Sequence, residues 1–174
     1  MSTMELIKFT KKEINLIGGI LLIIFIVVSF NLDISIRKGR DTIRKDDISA
    51  IQKSLEDYLK KFGVYPLSTA DGRIIGCFNE SPALDPISNR PTNAVACEWG
   101  SSNFEFGNMP LLIGDPRHKD GINYRYDSDG ENYSLYVYLE GGKSEAEYTQ
   151  NIVDKNLQCG TKVCNYGRGT RIKI

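Results

Sequence analysis

Four cysteines are the residues whose number and placement most directly suggest chemistry: Cys77, Cys97, Cys159 and Cys164. The even count, the lack of a C-x-x-C pair and the presence of a single histidine favour two disulfides over a zinc site. Four cysteines allow three pairings, and the sequence does not choose among them. We favour Cys77–Cys97 and Cys159–Cys164, because each of these pairs closes a local loop. Disulfides in turn indicate an oxidising compartment.

Three acidic residues, Asp127, Asp129 and Glu131, are candidate metal ligands because their spacing matches the start of a calcium-binding loop. The pattern lacks the distant glutamate that completes such a loop, so a plain hairpin turn is the stronger interpretation. We expect no other cofactor. The histidine, His118, lies in the turn-like segment DPRHKDG, and we expect neither a catalytic triad nor an enzyme.

A short charged stretch at the N-terminal edge precedes a long apolar run: Phe9, Lys11, Lys12 and Glu13 are its notable members. The simplest interpretation is that the two lysines extend their charges to a lipid interface while Glu13 caps the start of the helix.

The apolar run covers residues 14–32 and contains no charged residue. Fourteen of its 19 residues are Ile, Leu, Val or Phe, and as a helix it would be roughly 28 Å long, close to the thickness of a bilayer core. A buried core helix would show a polar face, and this run shows none. A cleaved signal would be shorter and followed by small residues. We therefore expect an uncleaved transmembrane helix.

The charges and the cysteines disagree on orientation. Three basic residues lie within residues 1–13 and five within residues 33–47, so a count of Lys and Arg alone places the C-terminal part in the cytoplasm. All four cysteines follow the run and favour the opposite side. We give the cysteines more weight. We therefore expect a single-pass membrane protein with residues 1–13 in the cytoplasm and the C-terminal domain outside it.

The segment after the run, residues 33–62, has the pattern of an amphipathic helix that continues the first one. Its apolar residues recur at spacings of three and four, with charged residues between them. Gly63 and then Pro66 form a common stop signal. The apolar stripe consists of Ile48, Ile51, Leu55, Tyr58, Leu59 and Phe62.

Residues 63–174 have the composition of a globular, β-rich domain with many turns. Tyr133, Leu135, Val137 and Leu139 alternate with other residues after Asp129-Gly130, which predicts a β-hairpin. We expect one face of this hairpin to cover the helical stripe. Residues 68–121 are expected to be largely loop, with one short strand in SNFEFGNMPLLIGDP. The Gly- and Asn-rich tail, residues 141–174, is expected to be held by Cys159 and Cys164 and to end in an edge strand at TRIKI. The predicted fold class is α+β, with a long N-terminal helix on a small antiparallel sheet.

Two internal segments and the N-terminal edge resemble type IV pilins and type II secretion pseudopilins. GRDTIRKDDISAIQKSLEDYLKKFGVYP is similar to the family's helix-and-turn segment, and DPRHKDGINYRYDSDGENYSLYVYLE to its hairpin. Phe9, Thr10 and Glu13 match the family's G-F-T-L-I-E at its first, second and fifth mature positions. Lys8 stands where the family's peptidase requires glycine, Lys11 and Lys12 where the family has apolar residues, and Phe30 in place of a frequent proline. We therefore expect the N-terminal residues to be retained.

The resemblance implies a structural subunit of a type IV pilus or a type II secretion pseudopilus, assembled through its N-terminal helix. Its expected partners are other pilin or pseudopilin subunits, the inner-membrane assembly platform and the membrane, in a homopolymer or a mixed surface filament. In that family the carboxylate at the position of Glu13 pairs with the amino terminus of a neighbouring subunit. A buried carboxylate needs a cation, and if no cleavage frees an amine at Phe9, Lys11 or Lys12 could supply it. The alternative is a non-polymerising single-pass surface protein whose outer domain binds a ligand or partner. Zero net charge gives no support for nucleic acid.

Overall fold

The computed structural model describes residues 10–88, 90–106 and 109–172. The chain divides into two compact units, Met1–Lys38 and Gly39–Ile174. One helix, α1, runs without interruption from Lys11 to Phe62 and therefore belongs to both units. Small antiparallel sheets make up most of the regular structure that follows it. The observed layout is therefore α+β, with one long apolar N-terminal helix.

Helix α1 ends where the sequence predicts. Gly63 has a φ of +74° and donates its N–H to the Leu59 carbonyl at 2.7 Å. This left-handed conformation is open to glycine and caps the last helical carbonyls. The helix buries its predicted stripe, with Leu59 partly buried and the others within the core: Ile48, Ile51, Leu55, Tyr58 and Phe62.

The predicted hairpin is present as strands β6 (Arg125–Ser128) and β7 (Tyr133–Val137), which are antiparallel with Ser128 opposite Tyr133. The alternating residues that the pattern assigned to one face are buried in the same core as the helical stripe: Tyr133, Leu135, Val137 and Leu139. Burying apolar area contributes about 25 cal/mol per Å², so this contact is a main source of the domain's stability.

Strand β7 differs from the prediction because it is the central strand of its sheet and is buried along its whole length. The tail supplies the third strand, β10 (Tyr166–Gly169), on the other side of β7. Ile152 and the Cys159–Cys164 pair of the tail also pack with Tyr136 of β7 in a second apolar cluster. A tail that was expected to form a tied loop and an edge strand therefore also covers the second face of the hairpin.

The segment between the helix and the hairpin contains more strand than predicted. β1 (Leu67–Ser68), β2 (Ile74–Cys77) and β3 (Val95–Ala96) form one sheet, and β4 (Asn103–Phe106) pairs with β5 (Met109–Leu111). β8 (Gln158–Cys159) pairs with β9 (Lys162–Val163), and α2 covers Gln150–Val153. β4 and β5 lie in the segment where one short strand was predicted. The other strands are two to four residues long, too short for an alternating pattern to be recognised in the sequence.

Candidate functional site

The N-terminal edge of α1 is closed by a capping box. The backbone N–H and the hydroxyl of Thr10 both donate to Glu13 Oε2, at 2.7 and 2.9 Å. The Glu13 N–H donates back to Thr10 Oγ1 at 3.4 Å, so the two residues satisfy orphan donors at the helix start reciprocally. In the part of the chain that the structure describes, Glu13 is therefore engaged by Thr10 and not by Lys11 or Lys12. Lys8 and Phe9 lie outside the described residues.

The apolar half of α1 exposes its large side chains. From Ile14 to Ile36 the large apolar side chains are 42% to 69% exposed within the chain. By length and apolarity, this helix meets the requirements for spanning a membrane. Exposed Ile, Leu, Val and Phe over such a length are costly in water, so lipid or another apolar helix has to cover them.

The cysteines form the two local disulfides. Cys77 is bonded to Cys97 across 20 residues, and Cys159 to Cys164 across five. The first bond joins strand β2 to the chain just after β3, and the second closes the β8–β9 hairpin. Disulfides of this kind fit a domain that lies outside the cytoplasm.

Two of the candidate calcium ligands, Asp127 and Asp129, form ion pairs with arginines. Asp127 forms an ion pair with Arg125 at 2.9 Å, and Asp129 pairs with Arg171. Asp129 Oδ1 also accepts the backbone N–H groups of Glu131 and Asn132, which shapes the hairpin loop. Within residues 10–88, 90–106 and 109–172, no group of three or more His, Cys, Asp and Glu side chains is placed to hold a metal ion.

The histidine lies at the surface. His118 begins a 3₁₀ turn, His118–Asp120, and its Nδ1 lies 2.6 Å from Asn123 Oδ1. No serine or cysteine nucleophile is bonded to this ring among the described contacts.

The indole of Trp99 is buried in the main core against the ring of Tyr124.

The most prominent polar feature of the structure was not predicted: a buried ion-pair network centred on Arg44. The Arg44 side chain is fully buried and donates two hydrogen bonds to Asp115, at 2.7 and 3.0 Å. Arg44 Nη1 donates to Asp41 and to Glu140, both at 2.8 Å. Asp41 in turn accepts the N–H groups of Glu140 and Gly141. We call these four side chains the Arg44 network.

The part of the chain that follows Phe62 is called the sheet domain below. The Arg44 network attaches helix α1 to this domain at two points that are distant in the sequence. Asp115 follows strand β5, and Glu140 follows strand β7. Burial disfavours the charge of Arg44, but its interactions with Asp115, Glu140 and Asp41 together outweigh this, and the pKa of Arg44 is raised. Hydrogen bonds from Arg40, and then from Arg44, lower the pKa of Glu140 to about 2. Arg44 and Glu140 are therefore both charged at neutral pH.

A neighbouring ion pair extends the same pattern along the helix. Lys45 Nζ donates to Glu145 at 3.0 Å and to Glu147 at 2.7 Å. Three of the basic residues that follow the apolar run, Arg40, Arg44 and Lys45, are thus partners of acidic residues in the sheet domain. The one local signal for this in the sequence is the i, i+3 spacing of Asp41 and Arg44.

Comparisons with protein-family models, with curated proteins and with solved structures found no match to this chain.

Proposed function

We propose that this chain is a membrane-anchored structural subunit of a filament of the type IV pilus or type II secretion pseudopilus kind. In this proposal residues 14–32 hold the subunit in the membrane before assembly, and the same helix packs against copies of itself afterwards. The sheet domain, on the outer side of the membrane, forms the filament surface.

The observation that carries the proposal is the continuity of α1 from Lys11 to Phe62 with two different surfaces. The first half exposes apolar side chains all round, whereas the second buries one side, its apolar stripe together with Asp41, Arg44 and Ser54. A simple anchor needs no continuous connection between span and domain. In a filament subunit, one helix supplies both the apolar surface that packs against other copies and the stripe that packs on the sheet domain.

Two features support an outer location for the sheet domain. Both disulfides lie in that domain, and disulfides persist in oxidising compartments. Three of the basic residues whose positions would indicate a cytoplasmic domain form ion pairs within the protein. Arg40 pairs with Glu140, Arg44 with Asp115, and Lys45 with both Glu145 and Glu147. Their presence after the span therefore has a structural reason besides membrane orientation.

Glu13 has a defined part in this proposal. Its carboxylate caps α1 within one chain, and a filament would place it beside the helices of neighbouring subunits. A carboxylate that loses its water there requires a cation, which Lys11 or Lys12 of another copy would supply. Pairing of this kind sets the axial register of one helix against the next.

A second candidate function is a single-pass surface protein that does not polymerise. The capping box favours it, because Thr10 satisfies Glu13 within one chain. Lys11 and Lys12 also favour it, since charged residues in the first turn suit a lipid interface. In this case the sheet domain would act alone on a ligand or partner.

Substitutions at Glu13 separate the two functions. Gln at an N3 position still completes a capping box but carries no charge. If Glu13 pairs with a cation in a filament, Glu13→Gln reduces the ratio of filament-associated to membrane-resident protein, while Thr10→Ala leaves it near the wild-type value. Immunoblots of sheared and membrane fractions measure this ratio. Equal ratios for wild type and Glu13→Gln contradict the pairing, and a wild type that is absent from the sheared fraction contradicts the filament.

The fate of the N-terminus is a separate test. Because Lys8 replaces the glycine of the cleavage motif, we expect intact-mass analysis of membrane-extracted protein to find the residues before Phe9. A mass that begins at Phe9, with an added methyl group, contradicts this. In that event the cation for Glu13 is a new amino terminus and not a lysine side chain.

A further inference from the structure

The loop enclosed by the Cys77–Cys97 disulfide carries an apolar side chain at its tip. Thr92 N–H donates to the Ala83 carbonyl at 2.8 Å, and Asp85 N–H to the Arg90 carbonyl at 2.9 Å. Leu84 and Pro91 form a bridge between these two bonds. The described residues 83–88 and 90–92 therefore form a narrow paired loop, which we call the tip loop.

The tip loop presents Ile87 in a fixed position. Asp85 Oδ1 accepts the N–H groups of Ile87 and Ser88, at 3.0 and 2.7 Å, as well as the Ser88 hydroxyl at 2.9 Å. Ile87 itself is 95% exposed. Single exposed apolar residues are ordinary, but here a disulfide, a bridge and a capped turn together order the loop around one. Such an arrangement favours contact with another molecule.

A complementary surface lies elsewhere on the same domain. A groove of about 340 Å³ runs between α1 and strand β5 and is lined by Ala50, Lys53, Ser54, Met109, Pro110, Leu111 and Ile113. Leu111 is 46% exposed there. A cavity of roughly 150 Å³ already accommodates benzene, so this groove has room for an isoleucine side chain and nearby atoms of the tip.

The charges of the two surfaces also match. Lys53 is the charged residue among those that line the groove. Asp85 lies two residues before Ile87 and leaves its second carboxylate oxygen outside the turn hydrogen bonds described above. The loop's basic residue, Arg90, lines a different pocket, beside Tyr65 and Pro66.

We propose that the tip loop of one copy docks into the groove of a second copy, with Ile87 on the apolar floor and Asp85 beside Lys53. The inference rests on the proposed filament function, which it extends by naming a contact between sheet domains. The tip loop and the groove are different surfaces of one molecule, so the contact is head-to-tail. A row of copies joined in this way has a free tip loop at one end and a free groove at the other. Contacts of this type form open helical chains when their rotation does not close a ring.

Photocrosslinking in the full-length, membrane-resident protein tests this contact. A benzophenone amino acid replaces Ile87, and for comparison Leu67, an exposed leucine on strand β1. From position 87 we expect a ladder of crosslinked copies whose linked peptides contain residues 50–54 or 109–113. From position 67 we expect no link to those peptides. Links from position 87 to any other surface, or none to a second copy, overturn the proposal.

Substitutions give a second readout. Burying one isoleucine contributes about 1.5–3 kcal/mol, which corresponds to a factor of ten or more in a binding constant. Ile87→Asp should therefore lower filament-associated protein about tenfold or more, and Lys53→Glu should lower it as well, while Leu67→Asp should not. If the wild-type protein forms filaments and the Ile87→Asp variant is incorporated equally well, the proposed contact is wrong but the filament function is not contradicted. If the wild-type protein forms no filaments but position 87 still crosslinks to the groove, the contact is supported and the filament function is contradicted.

Discussion

Replacement of Arg44 by alanine should be among the most destabilising changes in the sheet domain. The substitution removes a buried cation and leaves Asp41, Asp115 and Glu140 facing one another. Asp115 loses both of its hydrogen bonds from Arg44, and its side chain is fully buried. Removing one partner of a buried ion pair typically costs about 3–5 kcal/mol, because an uncompensated charge stays in a medium of low polarity.

The size of this effect is large relative to the stability of a domain. The free energy of unfolding of a single domain is about 5–15 kcal/mol, so the substitution removes roughly a fifth or more of the total. With a urea dependence near 2 kcal/mol per M, the unfolding midpoint should fall by about 2 M. Arg44→Lys should lie between alanine and wild type, because lysine keeps the charge but loses the two-pronged bond to Asp115.

The assay is urea unfolding of residues 33–174, which we expect to fold alone as a soluble domain. The indole of Trp99, the chain's one tryptophan, is buried against Tyr124 and reports on unfolding by its fluorescence. Arg90→Ala is the matched control, since Arg90 is exposed. An exposed substitution of this kind changes stability by about 0.5 kcal/mol or less.

The pH dependence separates a charge effect from simple loss of packing. Carboxylates left without their cation take up protons more readily, so the gap between Arg44→Ala and wild type should narrow as the pH falls from 7 toward 4. A cavity left by a lost side chain would give a gap independent of pH. Equal effects of Arg44→Ala and Arg90→Ala, or a gap that does not change with pH, would refute the reasoning.

Three further outcomes follow from the same contacts. Leu55→Ala should cost about 2–5 kcal/mol because Leu55 is fully buried, whereas Lys53→Ala should be nearly silent in the same urea assay; equal effects would mean that the stripe does not face the core. The pKa of Glu140 is lowered from 4.5 to about 2, so its contribution of about 3 kcal/mol to the free energy of unfolding is present above pH 4.5 and disappears as the pH falls toward 2. Glu140→Gln should therefore reduce the loss of stability between pH 4.5 and pH 2, and an unchanged loss in this pH range would contradict the prediction. The double change Cys77→Ala with Cys97→Ala should lower the free energy of unfolding by about 2–4 kcal/mol, seen as a reduced melting temperature; free thiols in the unreduced wild type would refute the disulfide itself.

The long helix and the hairpin were predictable because each has a local sequence pattern that extends over many residues. The apolar run and the stripe at Ile48, Ile51 and Leu55 each extend over several helical turns, so a helix could be assigned from local pattern alone. The β6–β7 hairpin carries its own turn signal at Asp129-Gly130. In these places local propensity and tertiary packing agree.

The Arg44 network was not predictable for a physical reason. Arg44 and its partners Asp115 and Glu140 are separated by 71 and 96 positions in the chain. A charged residue in a helix is ordinarily at the surface, and only its partners decide whether it can be buried. The burial of β7 on both faces was missed similarly, because the covering residues come from the tail and show no strong periodicity.

Electron microscopy of sheared surface material, labelled with gold through an epitope tag on the sheet domain, tests the filament function most directly. We expect filaments labelled along their length, because a subunit that polymerises through α1 presents its sheet domain at the filament surface. The membrane fraction should contain the unassembled remainder. Gold confined to membrane fragments, with no labelled filaments in the sheared material, would contradict the proposal and favour a surface protein that acts alone.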